Sequence, residues 1–356
     1  MDNKLFYHTN RASLLEKMPA NSVAIIASGE EQIRNRDVEF PFRAESDFFY
    51  LTGFIEPDSV LFLIKKEELQ SALFLRPKDP EQETWQGRRL GVDAAAKHLL
   101  IDQVYSIEGL DEQAVNLLEN IESIYVSFGQ LSQWSDTLNS WIGSLKQKVR
   151  KGVIAPSNIC DLDKILHEMR LFKSSDEIKC MRKAAQISVQ GHLAAMKAVM
   201  FSEYEYQVQA ALEAEFVKQG SARVAFSSIV ASAENACILH YTENRSKIDK
   251  EALLLIDAGA EYQGYAGDIT TTFPASGKFS EAQAQLYELV LNAQQMAINT
   301  IKPNVSYDQV HQASVKVLTT GLVSLGILQG DIDDLIETEA YKAFFMHGTG
   351  HWLGMD

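Results

Sequence analysis

The stretch ALLLIDAGAEYQGYAGDITTTF, residues 252–273, decides the fold of the second half of the chain. An apolar strand, Ala252–Asp257, ends on an aspartate, and a second strand, Asp268–Phe273, begins on one. The connection between them contains three glycines, which is typical of a turn between paired strands. If the two strands pair, both aspartates can lie on one face of a hairpin.

Two carboxylates on one face repel each other unless a cation lies between them. Hard divalent cations prefer oxygen ligands, and a carboxylate can bridge two of them. The alternative is that Asp257 and Asp268 only cap a turn, which is common for aspartate beside glycine. The spacing alone leaves both interpretations open. Glu261, within the connection, is expected to be a solvated turn residue.

A second informative stretch is AFFMHGTGHWLGMD, residues 343–356, in which His347 and His351 are four residues apart. Neutral imidazole is a good metal ligand. The surrounding glycines argue against a helix and let the backbone approach a bound group closely. The pattern predicts a strand followed by a tight turn, and a purely structural role for both histidines is the alternative.

A third stretch is ACILHYTEN, residues 236–244. By itself it predicts a partly buried, hydrogen-bonded His240, with Tyr241 and Asn244 as ordinary loop residues. Cys237 is expected to be a buried structural cysteine rather than a thiol nucleophile.

The 356 residues are 46% hydrophobic, which is enough for two domains with their own cores. A net charge of −15 makes nucleic acid an unexpected partner. The three cysteines are sparse and form no CxxC, which fits a reducing, cytoplasmic location. The first residues have mixed charge without an apolar core, so we expect neither a signal peptide nor a membrane span.

The first half alternates strands with helical patterns, which predicts an α/β N-terminal domain over residues 1–172. The predicted strands are Ser22–Ser28, Ser59–Ile64, Ala72–Leu75 and Ile124–Val126. Near the boundary, Ser174 and Glu177 have the spacing of a capping box and predict a helix from Ser175 to about Met200. Beyond it, helices and antiparallel strands in separate blocks predict an α+β domain over residues 173–356.

Together these stretches resemble aminopeptidase P, in the creatinase/methionine-aminopeptidase superfamily of pita-bread metallopeptidases. The resemblance covers nearly the whole chain. In the first half it is carried by RNRD (34–37), FPFR (40–43), SDFFYLTGF (46–54) and WQGRRLG (85–91). In the second half it is carried by EMRLFK (168–173), ILHYTEN (238–244), LLIDAGAEYQGYAGDITTTFP (254–274) and HGTGHWLG (347–354).

The resemblance implies a role for each residue. Asp257 and Asp268 match the first two carboxylate ligands, with Asp268 bridging two metals, and His351 matches the histidine ligand. His240 and His347 match catalytic histidines that line the substrate site without binding metal. The implied cofactor is Mn²⁺, two ions per active site, and Zn²⁺ or Co²⁺ would suit the same donors.

The implied reaction is hydrolysis, by a water shared between the two metals, of the bond that joins an N-terminal residue to proline in second position. The implied partners are peptides with an Xaa-Pro N-terminus and further copies of the chain, as a dimer or tetramer.

The family pattern continues past HGTGHWLG and supplies two glutamate ligands, one of them bridging, which these 356 residues do not contain. We therefore expect an incomplete catalytic domain, truncated at its C-terminus, that binds metal weakly and has impaired activity. Two alternatives are a prolidase that cleaves Xaa-Pro dipeptides and a non-catalytic binding or scaffold protein on the same fold. Intact Asp257, Asp268, His240, His347 and His351 argue against the scaffold.

Overall fold

The computed structural model describes residues 4–356, and the chain divides into two units, residues 1–173 and residues 174–356. Within the described residues, no helix has the length and apolar character required to cross a membrane.

The first unit is built on a six-stranded mixed sheet with the strand order β6-β5-β4-β1-β7-β8. The centre of the sheet is antiparallel, and both outer pairs are parallel. The strands of this unit, including a separate small hairpin of β2 and β3, are β1 Ser22–Ala27, β2 Ile33–Asn35, β3 Val38–Glu39, β4 Val60–Lys65, β5 Leu69–Leu75, β6 Gln103–Ser106, β7 Ser123–Val126 and β8 Asn158–Asp161.

Helices cover this sheet, and the three antiparallel strands at its centre are buried over most of their length. On one face, the rings of Phe62, Phe74 and Trp141 pack in a single apolar cluster. The helices are α1 Lys4–Lys17, α2 Ser46–Thr52, α3 Pro80–Gln86, α4 Val92–Leu99, α5 Leu110–Leu117, α6 Leu131–Gln147 and α7 Asp163–Leu171. This is the α/β architecture that the alternating pattern predicts.

The second unit combines helices with two small antiparallel sheets, in the strand orders β10-β11-β14 and β13-β12-β9. Its strands are β9 Arg223–Val224, β10 Ile229–Ser232, β11 Leu253–Ala258, β12 Ala260–Tyr262, β13 Tyr265–Ala266 and β14 Ile269–Pro274. Its helices are α8 Ser175–Val199, α9 Glu205–Lys218, α10 Glu281–Thr300, α11 Tyr307–Ser324 and α12 Ile332–Glu337.

Helix α8 begins at the predicted capping box. The Glu177 amide donates to Ser174 Oγ at 3.3 Å, and the Ser174 amide donates to Glu177 Oε2 at 2.7 Å. These bonds satisfy two of the amides that a helix N-terminus leaves without a helical partner. The helix then buries an apolar stripe, including Ile187 and Val199, in a core that it shares with α9 and with β11 and β12. This packing fixes the strands that carry the site.

Several sequence predictions need correction. The run AFSSIVA, residues 225–231, predicts a single strand by its composition, but β10 begins only at Ile229, and β9 ends at Val224. Residues 344–356 contain no strand or helix, so the strand predicted before the histidines is wrong. Cys237 is exposed, not buried.

Candidate metal centre

The predicted hairpin forms, because β11 and β14 pair antiparallel with Asp257 opposite Thr270 and Ala258 opposite Ile269. Asp268 is the residue just before β14. The short strands β12 and β13 lie between the two aspartates in sequence and form a hairpin in the other small sheet. The pairing therefore brings the end of β11 and the start of β14 together, as the sequence predicts.

Two glycines allow the backbone to cross itself at this point. A Cβ atom at Gly259 would overlap the carbonyl group of Gly267, and a Cβ atom at Gly267 would overlap Ser188 Oγ on α8. Glycine is required where two backbone segments approach this closely. The crossing holds the connection against α8 and leaves both aspartates at one end of the β11–β14 pair.

Asp257 is half-buried, and its Oδ1 atom is buried with no hydrogen-bond partner within residues 4–356. Burial raises the pKa of Asp257, and the charge of Asp268 raises it further. A hydrogen bond from Thr270 and the electrostatic influence of His240 and His351 lower it. These influences show that the two aspartates and two of the predicted histidines are electrostatic neighbours.

His351 points its Nε2 atom at Asp268 Oδ2, at 3.2 Å. Its Nδ1 atom lies 2.7 Å from the carbonyl oxygen of Trp352. Because a carbonyl only accepts, Nδ1 carries the proton, and in a neutral ring Nε2 presents a lone pair. A lone pair that faces a carboxylate oxygen requires a proton or a cation between them.

These donors fit a divalent cation. Asp257 supplies a buried oxygen that has no hydrogen-bond partner among residues 4–356, Asp268 a more exposed carboxylate, and His351 a ring nitrogen. Two ligand atoms, each about 2.1 Å from one cation and at right angles, lie about 3 Å apart. The 3.2 Å separation of His351 Nε2 and Asp268 Oδ2 agrees with that spacing.

A second group of possible ligands occurs in the first unit, where Asp47, Asp163 and His167 bring ligand atoms within 4.8 Å of one another. Arg170 already donates to Asp47 Oδ1 at 2.7 Å. A guanidinium in this position supplies the positive charge that a metal would otherwise bring. This group is therefore explained as an ion pair.

His240 is exposed, contrary to the prediction of partial burial. It lies at the edge of a cavity of about 340 Å³ whose lining is mostly polar. The lining residues are Asn235, Ile238, His240, Tyr241, Thr242, Glu243 and Ser246. The cavity belongs to the same unit as the aspartates. His240, on its lining, is one of the two histidines whose electrostatic influence lowers the pKa of Asp257.

Glu205, at the start of α9, holds the loop that carries His240. Its side chain is fully buried. Oε1 accepts from the Ser232 amide at 2.8 Å and from Asn235 Nδ2 at 3.0 Å. Oε2 accepts from the Tyr241 hydroxyl at 2.7 Å and from the Ser246 amide at 2.8 Å. One carboxylate thus fixes both ends of the loop, a role that sequence reasoning missed.

Asn244 is not an ordinary loop residue, since it is only 1% exposed. Its Oδ1 accepts from the Val230 amide at 2.9 Å, and its Nδ2 donates to the Ser228 carbonyl at 2.7 Å. The backbone of Asn244 has φ +49°, a conformation that asparagine tolerates better than most residues. Tyr241 is likewise buried.

Glu261 is also buried, at 7% exposure, on β12. Its Oε1 accepts from Arg223 Nη1 at 3.1 Å. The prediction of a solvated turn residue is therefore wrong. Arginine on the neighbouring strand β9 provides the charge that makes its burial tolerable.

The segment 344–356, which carries His347 and His351, is held by side chains of α11 and by β13. His311 Nδ1 lies 2.8 Å from Thr349 Oγ1. The rings of Tyr307 and Trp352 lie 5.6 Å apart. The Ala266 amide donates to the Gly354 carbonyl at 2.7 Å. The His347 ring is exposed, and its Nδ1 atom lies 2.9 Å from the Gly348 carbonyl oxygen.

Two family models match this chain. The aminopeptidase P N-terminal domain matches residues 7–125, and metallopeptidase family M24 matches residues 179–356. The Xaa-Pro aminopeptidase of Haemophilus influenzae is 43% identical over 98% of this chain and 79% of its own length. That of Escherichia coli K12 is 41% identical over 98% of this chain and 80% of its own length.

The chain belongs to the aminopeptidase P family.

Solved structures agree with the assignment to aminopeptidase P. The aminopeptidase PepP of Pseudomonas aeruginosa superposes with a TM-score of 0.97 at 45% identity, over 99% of this chain and 80% of that one. Zinc-substituted aminopeptidase P of E. coli in complex with product gives 0.96 at 40% identity, over 99% and 81%. The predicted α/β domain followed by a pita-bread domain is confirmed. By family the chain is a metallopeptidase, a hydrolase.

Proposed function

We propose that this chain removes the N-terminal residue from peptides with proline in second position, using Asp257, Asp268 and His351 as metal ligands. The observation that supports this most directly is the arrangement around Asp268. His351 Nε2 faces it at 3.2 Å, and Asp257 Oδ1, which has no hydrogen-bond partner in the described part of the chain, lies on the paired strand. The naming of relatives at 41–43% identity as Xaa-Pro aminopeptidases supports the reaction.

The proposed cofactor is Mn²⁺, two ions per site, with Zn²⁺ or Co²⁺ as possible substitutes. A divalent cation held by these side chains supplies a Lewis acid and lowers the pKa of a bound water. Asp268 faces His351 and would hold a cation together with it, and the resemblance to aminopeptidase P supports a bridging role for this carboxylate. Asp257 is proposed to hold the free amine of the substrate near the metal.

His240 and His347 are proposed to hydrogen-bond to the substrate. His240 is exposed at the edge of the cavity and is held by a loop that Glu205 fixes at both ends. A donor held in place before the substrate arrives stabilises developing negative charge better than a mobile one. His347 is exposed on the segment that also carries His351, so a bound peptide can reach it.

Metal analysis tests the ligand assignment. Titration of the 356-residue polypeptide with Mn²⁺, followed by electron paramagnetic resonance of the free ion, should show binding that Asp257→Asn abolishes. Equal binding by wild type and Asp257→Asn would contradict the ligand assignment.

Peptide length tests the substrate class. Turnover of an Xaa-Pro-Xaa tripeptide should exceed turnover of an Xaa-Pro dipeptide, and an Xaa-Ala-Xaa tripeptide should be a poor substrate. A preference for the dipeptide would favour a prolidase, an alternative that the comparisons do not favour.

Three further proposals concern the whole molecule. We propose that residues 1–172 and 173–356 are two domains, and limited proteolysis near Lys173 would test that boundary. We propose a homo-oligomer, dimer or tetramer, which the mass in solution would test. We propose a cytoplasmic location, which the sparse cysteines support and cell fractionation would test.

A further inference from the structure

His192, on α8, is a buried titratable residue that the proposed reaction does not use. Its side chain is only 3% exposed. The Nε2 atom lies 3.1 Å from the carbonyl oxygen of Ala258, and the Nδ1 atom lies 3.0 Å from Thr271 Oγ1. Both ring nitrogens therefore have partners, as buried polar atoms require.

The partners assign the protons of this ring. The Ala258 carbonyl can only accept, so Nε2 carries a proton and donates. Burial lowers the pKa of His192 and outweighs hydrogen bonding to the backbone of Ala258 and Ile269, which raises it, so the neutral ring is favoured. In the neutral ring Nδ1 is an acceptor, and the Thr271 hydroxyl donates to it. Each hydrogen bond therefore has one donor and one acceptor.

Both partners lie beside the proposed metal ligands. Ala258 follows Asp257 at the end of β11, and Thr271 lies on β14, three residues after Asp268. Thr271 pairs with Ile256, the residue before Asp257. A single imidazole thus contacts both of the strands whose ends carry the aspartates, next to the ligand on one strand and near it on the other.

Ser188, one helical turn earlier on α8, adds a second contact to the same connection. Its Oγ accepts from the Ala260 amide at 3.0 Å and donates to the Ala184 carbonyl at 2.8 Å. Residues at positions i and i+4 lie on one face of a helix. The face formed by Ser188 and His192 therefore holds the backbone on the side of Asp257 that leads into the connection.

The geometry points to His192 as a positioning residue that sets the separation of Asp257 and Asp268 and thereby the affinity of the site for a divalent cation. This inference rests on the proposed function, since it requires the two aspartates to be metal ligands. His192 does not touch the cation itself. It acts through the backbone of Ala258 and the hydroxyl of Thr271, as groups behind a metal ligand commonly do.

The test compares Mn²⁺ dissociation constants of the 356-residue protein, measured by electron paramagnetic resonance of the free ion. Thr271→Val removes one hydrogen bond of His192 and keeps the shape of the side chain. The matched control is Thr319→Val, because Thr319 is a buried threonine on α11 whose hydroxyl has no partner in the described part of the chain.

We expect Thr271→Val to weaken Mn²⁺ binding by about tenfold, the lower end of the effect of losing a group behind a ligand. Thr319→Val should bind as the wild type does. His192→Ala should weaken binding at least as much as Thr271→Val. His192→Gln should recover part of the loss, because its amide can donate to Ala258 and accept from Thr271. The double variant His192→Ala/Thr271→Val should be no weaker than His192→Ala, since both changes remove one interaction.

A purely structural role for His192 would lower the melting temperature of these variants without changing the dissociation constant of the folded protein, and that result would overturn the inference. If His192→Ala does not fold, the comparison of Thr271→Val with Thr319→Val decides. Asp257→Asn separates the two proposals. If Asp257→Asn binds Mn²⁺ as the wild type does, the proposed function fails at this site. If Asp257→Asn alone loses binding, the role of His192 fails.

Discussion

The proposed metal ligands lie in two regions that are held in different ways. Asp257 and Asp268 lie at the ends of the paired strands β11 and β14, which pack on α8. His351 lies in the irregular segment 344–356, which is exposed over most of its length. Strand pairing and a buried core fix the first region, whereas a few side-chain contacts from α11 and one bond from β13 fix the second.

The difference shows which interactions fix the positions of the proposed ligands. The aspartates are placed by backbone hydrogen bonds and close backbone packing, which tolerate little change. The histidine is placed by contacts that can loosen one at a time. The loop of His240 is intermediate, since it has little regular structure but surrounds the buried carboxylate of Glu205.

Two glycine substitutions give the strongest test of the difference between the β11–β14 region and the segment 344–356. Gly259→Ala should destabilise the protein by more than about 4 kcal/mol, because the new Cβ atom would overlap the backbone carbonyl of Gly267. Gly350→Ala should cost less than about 1 kcal/mol, because its new Cβ atom would overlap only the hydroxyl oxygen at the end of the Tyr307 side chain, which can shift aside, and no backbone atom. Urea unfolding of both variants measures the difference. Equal losses of stability would show that the two regions are held equally tightly.

Glu205→Gln tests the intermediate loop. Glutamine replaces one acceptor oxygen by a donor, so two of the four groups that bond to Glu205 would face a donor. We expect a loss of about 2–3 kcal/mol of folding free energy and faster hydrogen exchange in residues 232–246. The control is Glu203→Gln, which is exposed just before the same helix and should change neither. Unchanged exchange in residues 232–246 would contradict the role of Glu205.

His311→Ala tests the loosely held segment. Removing the hydrogen bond to Thr349 and the ring contact with Phe345 should leave the melting temperature almost unchanged, since the side chain is only half-buried and both contacts are with the irregular segment 344–356. It should weaken Mn²⁺ binding by about threefold to tenfold, the effect of about 1 kcal/mol on one ligand-bearing segment. Hydrogen exchange should rise in residues 345–356 and not in β11 or β14. A rise in β11 as large as that in the segment would show that the regions are coupled.

The smallest expected effect is a pH dependence of folding stability that arises from His192, beside the strands that carry the aspartates. Burial lowers the pKa of His192 below its usual 6.5, so as the pH falls the unfolded chain takes up this proton before the folded one. The stability associated with the neutral ring is therefore fully present above about pH 6.5 and is lost as the pH falls toward the folded pKa. Between about pH 7.5 and 5.5, the wild-type melting temperature should fall more than that of His192→Gln. Parallel pH profiles would contradict this assignment.

Some features of the molecule follow from the sequence because they depend on neighbours a few residues apart. The capping box of Ser174 and Glu177 is one, since its two bonds join residues three positions apart. The pairing of β11 with β14 is another, since an apolar run, a glycine-rich connection and a second run are sufficient to predict a hairpin. The order of the motifs over the whole chain determined the family.

Other features depended on the tertiary structure. Glu261 is buried because Arg223, on another strand, pairs with it. Asn244 and Glu205 are buried because they bond to backbone far along the chain, and His192 is placed by strands more than 60 residues away. A local sequence pattern does not predict such partners. A polar side chain can be buried at low cost only when other groups form hydrogen bonds with it, and here those groups are distant in sequence. The sequence by itself thus determined which residues could bind a metal, and the packing of α8, α9 and α11 decided what holds them in place.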